Sequence, residues 1–375
     1  MTTLLTRPPA PDTGAAGGRD AAPTPRVLSR RAVLVLVGLA VATVVLFLLA
    51  LIVGPVRVPL ADTIRVVLGA APSDPRWQVV VHELRLPRAI TAVLVGAALG
   101  VAGLQMQTLF RNALADPYVL GASSGASLGV ALVVITAGAA GSASFTAGLA
   151  GMGRAGVVLA AAGGAAIVLM LVLMLSRWVR SSVTLLLVGV MVGSATTAIV
   201  SVLLVYADPV RAQLFLLWGL GSFASTTWSD LALMAPVVLV AVVVALATVR
   251  PLNALLLGEG YARTMGIDVR RTRLITLLAA SVLAGVTTAF CGPIGFLGLA
   301  VPHLARLAVG TSDHRTLMPT VMLMGSAVAL ACGIVSQVPN SDRVLPLNAV
   351  TAMIGAPIVI TVLIRARRGV DGAAL

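Results

Sequence analysis

Apolar residues run along this chain in long blocks rather than in the three-to-four-residue stripes of a soluble amphipathic helix. The blocks cover 32–54, 89–109, 118–137, 155–176, 183–206, 231–249, 274–292, 294–311, 317–338 and 344–364, ten in all, and the segments between them hold most of the arginines. A helix needs about 20 apolar residues to cross the hydrocarbon core. An arginine at the bilayer centre costs roughly 2.5–3.5 kcal/mol on insertion scales, so the arginines mark span boundaries. The pattern predicts an all-α integral membrane protein whose ten transmembrane helices occupy 32–364. The eighth block is the weakest, because His303 and Arg306 lie inside it. Leu214 to Phe223 is apolar but too short to cross, and is expected as an interfacial helix outside the membrane. Residues 1–31, rich in Pro, Ala, Gly and Arg, read as a disordered basic cytoplasmic tail, and 365–375 as a second tail. The first block is longer than a signal-peptide core and lacks an obvious cleavage site after it, so it is read as a retained helix.

Composition changes the picture in one direction. Of the 375 residues 59% are hydrophobic and only 10% charged, which excludes an ordinary soluble domain. All 26 basic residues are arginine, against 13 acidic ones, for a net charge of +13. In a soluble chain that balance suggests nucleic acid; here it is a topology signal. With the amino terminus inside and ten alternating spans, 18 arginines and seven acids fall on the inner face, giving +11 inside and +2 outside. Both termini are therefore expected in the cytoplasm. The lack of lysine excludes a P-loop, whose lysine contacts nucleotide phosphates. ATP and Mg, if used, belong to partner chains.

The blocks carry small residues at four-residue spacing: Gly96 and Gly100, then Gly121, Gly125 and Gly129, then Gly189 and Gly193. Such spacing lets helix backbones approach closely in lipid. It also suits a weakly polar pathway, for which Ser123, Ser124, Ser127, Thr91, Thr196 and Thr197 are the candidate lining. No Asp, Glu or Lys lies deep in any block, which counts against a proton-coupled secondary carrier and a charge-ring channel. Cys291 and Cys332 sit in apolar surroundings and read as packing residues. His82, His303 and His314 are scattered, so no metal site is indicated, and no catalytic constellation places an intramembrane enzyme here.

Two connectors are unusual. Residues 251–268, on the inner side, begin with Pro251, bend near Gly258 and stop at Gly266, presenting Leu256, Leu257, Tyr261 and Met265. That is a docking knob for a partner or an amphipathic hairpin on the bilayer surface. On the outer side, Val81 to Arg88 places Arg85 and Arg88 three apart, either to meet carboxylates of a partner or to anchor the helix end.

Several motifs in one order resemble the FecCD or BtuC-like permease family of iron-siderophore, haem and cobalamin ABC importers. They are Leu84-Arg85-Leu86-Pro87-Arg88, Gly96-Ala97-Ala98-Leu99 through Met106-Gln107, Asn112-Ala113-Leu114-Ala115-Asp116-Pro117 and Leu120-Gly121-Ala122-Ser123-Ser124-Gly125-Ala126. Further on come Leu257-Gly258-Glu259 with Ala262-Arg263 and Met265-Gly266, Gly295 to Leu299 with Val301-Pro302-His303, Asp313-His314-Arg315, and Thr351 to Pro357. The resemblance covers about 27–368 and implies a type II ABC importer permease with an inverted internal repeat, paired with a second copy or a paralogue in the bacterial inner membrane. It implies two cytoplasmic ATPase subunits docked on the coupling segment (Leu256, Leu257, Gly258, Glu259, Tyr261, Ala262, Met265, Gly266) and an extracytoplasmic binding protein received by Arg85 and Arg88. It implies a cytoplasmic gate at Ser181 and Ser182, and an iron-siderophore or related metal chelate as cargo, with haem, cobalamin or a free metal as the alternative. Gly333, Gln337 and Val344 stand where the family commonly has Asp, Arg and Glu, and Asn348 where it has Gly. The third docking arginine is thus missing, with Arg343 as the candidate replacement.

Overall fold

In the computed structural model, residues 29–136, 154–176, 178, 182–337 and 344–371 are described, and they are helical apart from short connections and one isolated bridge between Gln337 and Val344. The helices are α1 (Arg30–Ile52), α2 (Leu60–Val67), α3 (Pro75–Phe110, with a π-helical stretch Val79–Arg85), α4 (Ala122–Thr136) and α5 (Arg154–Ser176). Then follow α6 (Ser182–Val205), α7 (Pro209–Gly219), α8 (Trp228–Ala247), α9 (Val249–Leu257) and α10 (Glu259–Thr264). The last four are α11 (Val269–Cys291), α12 (Leu297–Val309), α13 (His314–Ser336) and α14 (Leu347–Asp371).

Seven of these, α1, α3, α5, α6, α8, α11 and α13, are long and apolar enough to cross a membrane, and α4, α12 and α14 contain shorter apolar stretches. Each of the ten apolar blocks therefore contains one helix. The eighth differs from expectation: Gly292 (φ 73°) and Phe296 (φ 67°) break the chain, so helix starts only at Leu297. Its 13 residues rise about 20 Å, short of the roughly 30 Å hydrocarbon thickness. The interfacial helix also starts earlier than Leu214. Asp208 caps the amides of Val210 and Arg211 and Pro209 takes the first turn, a start signal that outweighs the apolar run.

α3 is the hub, packed against α8, α11, α12 and α13, while α1 lies on α13 and α4 pairs with α5 and α6. Burial follows this order: the apolar window of α3 is 78% buried, against 11% in α1 and 17% in α6. The glycines explain the close crossings. A Cβ on Gly96 or Gly325 would run into the other's carbonyl, so α3 and α13 meet backbone to backbone, and a Cβ on Gly103 would run into the Gly298 carbonyl of α12. Gly125 and Gly129 of α4 press on Gly164 and Ala160 of α5. Cys291 and Cys332 are buried in the core.

Candidate functional site

The segment 251–268 folds as a helical hairpin. α9 ends where Gly258 takes φ +123°, a conformation closed to L side chains, and α10 starts on the next residue. Gly266 (φ +77°) ends it, with the Ile267 amide donating to the Ala262 carbonyl at 3.0 Å. The outer surface of the hairpin carries Leu256, Leu257, Tyr261 and Met265, all exposed. Ala262 is fully buried beneath it, so it packs the hairpin down and offers no contact surface. Glu259 is tied to α11 by Arg273 Nη2 at 2.8 Å and neighbours Arg263 at 3.6 Å.

What holds the hairpin is a polar network that the sequence pattern did not announce. Asn253 Nδ2 donates to Asp313 Oδ1 at 2.6 Å, while its Oδ1 accepts from the His314 amide at 2.9 Å and faces His314 Nδ1 at 2.8 Å. His314 Nε2 in turn lies 2.9 Å from Thr108 Oγ1 of α3. Arg111 Nη2 donates to the Leu255 carbonyl at 2.7 Å. Burial pushes the Asp313 carboxyl upward, but the bonds from the Arg315 amide and Asn253 outweigh it and hold the group below its ordinary range. A cavity of about 340 Å³ beside this network is lined by Gln107, Thr108, Arg111, Leu256, Arg306 and His314. The only sequence signals were an asparagine inside an apolar hairpin and the Asp-His-Arg run at 313–315.

At the opposite end of α3, the two arginines part company. The expected outward-facing pair is corrected for Arg85: the π-helical stretch turns its guanidinium inward, it is 4% exposed, and it donates to the carbonyls of Leu51, Ile52 and Val56. It anchors the carboxyl end of α1. Arg88 is half-buried and lines a cavity of about 150 Å³ at this end with Ser222, Phe223, Gly333, Ser336 and Val344. The departures from the family pattern gather around this cavity. Gln337 pairs with Val344 in the bridge, and Asn348 donates to the carbonyls of Gly219 (3.1 Å) and Pro293 (2.7 Å) while accepting from the Gly295 amide (2.9 Å). Arg343 lies outside the described residues, as does Ser181; Ser182 is the first residue of α6.

The pathway candidates lie on three helices, α3, α4 and α6. Ser123, Ser124 and Ser127 are half-buried on α4, with Ser124 donating to the Gly121 carbonyl at 3.1 Å. Thr196 is buried and Thr197 exposed, each bonded to the carbonyl four residues back on α6. Thr91 is buried against Thr226, at 2.7 Å between hydroxyls. Among the described residues, no cluster of three His, Cys, Asp or Glu could hold a metal.

The sequence model of the FecCD transport family matches residues 35–365. The hemin transport system permease HmuU of Yersinia pestis is 33% identical over 314 residues, covering 84% of this chain and 91% of its own. The vitamin B12 import permease BtuC of Escherichia coli is 35% identical over 297 residues, 78% of this chain and 86% of its own. A solved metal-chelate type ABC transporter in an inward-facing conformation superposes with a TM-score of 0.75 at 28% identity, covering 88% of this chain and 99% of that one. Sequence and fold agree along nearly the whole length, and the chain belongs to the FecCD transport family.

Proposed function

We propose that this chain is the membrane permease of an ATP-driven importer that carries an iron-siderophore or related metal chelate into the cytoplasm. The observation that carries the reading is the hairpin: its tip holds Leu257, Tyr261 and Met265 in solvent while its base is tied to α3, α11 and α13. A stiff knob with an apolar tip suits a partner that moves the bundle mechanically. Two cytoplasmic ATPase subunits, holding the ATP and Mg that a lysine-free chain cannot cradle, are that partner. Closure of the ATPases pulls the hairpin, and the helices it is tied to switch between outward- and inward-open arrangements. We read the seven long helices and the three with shorter apolar stretches as ten spans, the eighth (α12) too short to cross as helix alone, with the second to fifth and seventh to tenth as inverted repeats. The permease acts with a second copy or a paralogue in the bacterial inner membrane, with both termini cytoplasmic. An extracytoplasmic binding protein docks on the outer surface around Arg88, with Arg343 as the candidate replacement for the missing third docking arginine, and the gate lies at Ser181 and Ser182.

A second reading of the cargo, haem or cobalamin, is favoured by the relatives that carry hemin and vitamin B12. The test is uptake of labelled ferric siderophore, haem and cobalamin by vesicles holding the complete complex, with and without ATP. ATP-dependent uptake of one class is expected. Uptake without ATP that collapses with a proton uncoupler overturns the reading in favour of a secondary carrier.

A further inference from the structure

A second feature beside the hairpin has no role in the transport scheme. Between the carboxyl end of α8, the start of α9 and the start of α13 lies a groove of about 510 Å³, lined by Leu246, Val249, Arg250, Arg315, Met318 and Pro319. Its walls are apolar and belong to two membrane-crossing helices, with Leu246 42% exposed at its edge. Its mouth carries two exposed guanidinium groups, Arg250 from the hairpin side and Arg315 from α13. Neither makes an ion pair among the described residues. Asp313, two residues from Arg315, is engaged by the Asn253 amide and the Arg315 backbone and feels the Arg315 charge without an ion-pair contact.

We infer that this groove holds an anionic phospholipid of the inner leaflet, its phosphodiester between Arg250 and Arg315 and an acyl chain along Leu246, Met318 and Pro319. A basic mouth over an apolar cleft between spanning helices matches a lipid, which has a charge and a hydrocarbon stem. A carboxylate from a docked protein would use the charges and leave the cleft unfilled. The two guanidiniums belong to elements that must move together, the hairpin and α13, and like charges there repel. A phosphodiester between them turns that repulsion into a bridge. The groove also reaches His314, whose ring and amide hold Asn253 of the hairpin, so an occupied groove braces the same joint. Anionic lipid therefore acts as a cofactor for coupling. The leaflet assignment rests on the proposed orientation; the site itself does not.

The test is native mass spectrometry of the purified full chain, exchanged into phosphatidylglycerol or phosphatidylcholine of identical acyl chains. Selective retention of phosphatidylglycerol is expected, falling about 5-fold in R250Q or R315Q and about 30-fold in the double variant, with R271Q as a charge control that changes nothing. Equal retention of the two lipids, unchanged retention in the double variant, or an equal loss in R271Q overturns the proposal. So does displacement by millimolar inorganic phosphate, which makes the groove a free-phosphate site. Unchanged lipid retention together with failed ATPase assembly assigns the arginines to the protein partner instead. Orientation is read separately, by labelling L257C with an impermeant maleimide in inverted and right-side-out vesicles. That result can fail while the lipid result stands.

Discussion

Gly163 and Gly164 are neighbours on α5, and the same substitution should act on them in opposite directions. A Cβ added to Gly163 meets nothing within 4 Å, whereas one on Gly164 runs into the Gly125 carbonyl and stands 2.9 Å from the Gly129 nitrogen. Alanine is favoured over glycine in a helix interior by about 0.8–1.0 kcal/mol, and at 163 that gain is the whole effect. At 164 it is opposed by overpacking, typically about 1–3 kcal/mol. The reciprocal contact sets the scale: a Cβ on Gly125 would stand 2.5 Å from the Gly164 oxygen and 2.8 Å from Val168 Cβ, where ordinary contact starts at 3.4 Å. The obstacle is backbone, which cannot swing aside, so α4 and α5 must part by about 1 Å in an interior packed to crystal density. We expect Gly163→Ala to stabilise by about 1 kcal/mol and Gly164→Ala to destabilise by about 2 kcal/mol. The assay is the apparent Tm of the purified chain in one detergent, by heating followed by size-exclusion. Once the first alanine has parted the helices the second costs less, so Gly125→Ala with Gly164→Ala loses less than the two singles together. A stripe that lined the pathway would leave the Tm of Gly125→Ala unchanged and impair uptake alone. That outcome, or equal responses at 163 and 164, refutes the packing argument.

Replacing Tyr261 and Met265 together by Glu should cut uptake by roughly tenfold or more, about 1.4 kcal/mol of coupling, while the permease stays folded; normal transport would sink the docking role of the hairpin. Arg85→Gln strips a buried guanidinium from three carbonyls and should lower stability by about 3 kcal/mol, whereas Arg88→Glu should leave Tm unchanged and weaken capture of the binding protein. The reverse pattern in the two Tm values exchanges their roles. Burial raises the Asp116 carboxyl to about 6, above its unfolded value of about 3.9. Its contribution to stability is thus present below pH 4 and lost as pH rises through 6. Asp116→Asn keeps the cap on the Tyr118 amide and should raise Tm at pH 8 while flattening the slope between 4 and 6. Asp62 runs the other way: bonds from the Ser73 side chain and amide lower it, so its contribution is kept above its unfolded value and lost as pH falls through the folded one. Asp62→Asn should remove that acid-side loss, read by the same heating assay.

Hydropathy located every long helix because burial in lipid is a property of a whole segment, readable from composition within it. It missed α2, whose eight residues hold only Leu60, Ile64, Val66 and Val67 as large apolar side chains, too few to register as a block. It missed the amino-terminal extension of α3 for a related reason: Pro75 to Arg85 mixes charge with valine, and beyond the Asp74 cap it is held by tertiary contacts, including the Trp228 indole donating to the His82 carbonyl at 3.0 Å. The hairpin was legible from Gly258 and Gly266, which act locally, whereas Pro251 falls at the third position of α9 and not at its start. Its fastening was not, because Asn253 meets His314 across 61 residues and Arg111 meets Leu255 across 144. The same distance hid the fate of Arg85, whose acceptors lie on α1.

Those long-range partners give the arginines a second meaning beside topology. Arg31 donates to the carbonyls of Leu307 and Ala308, both at 2.8 Å, at the end of α12. Arg85 does so at the end of α1, and Arg111 at the end of α9. The last carbonyls of a helix have no partner within it. A guanidinium fits the vacancy: it stays charged when desolvated, its planar fork can reach two carbonyls at once, and its charge complements the negative end of the helix dipole. An ammonium at the same place sheds its proton more readily on burial and cannot span the pair. Arg31→Lys should therefore weaken the α1 to α12 joint although the net charge, and with it the topology signal, is unchanged. If Arg31→Lys leaves Tm where it was while Arg31→Gln lowers it, charge alone fastens the helix end and the argument from fork geometry fails.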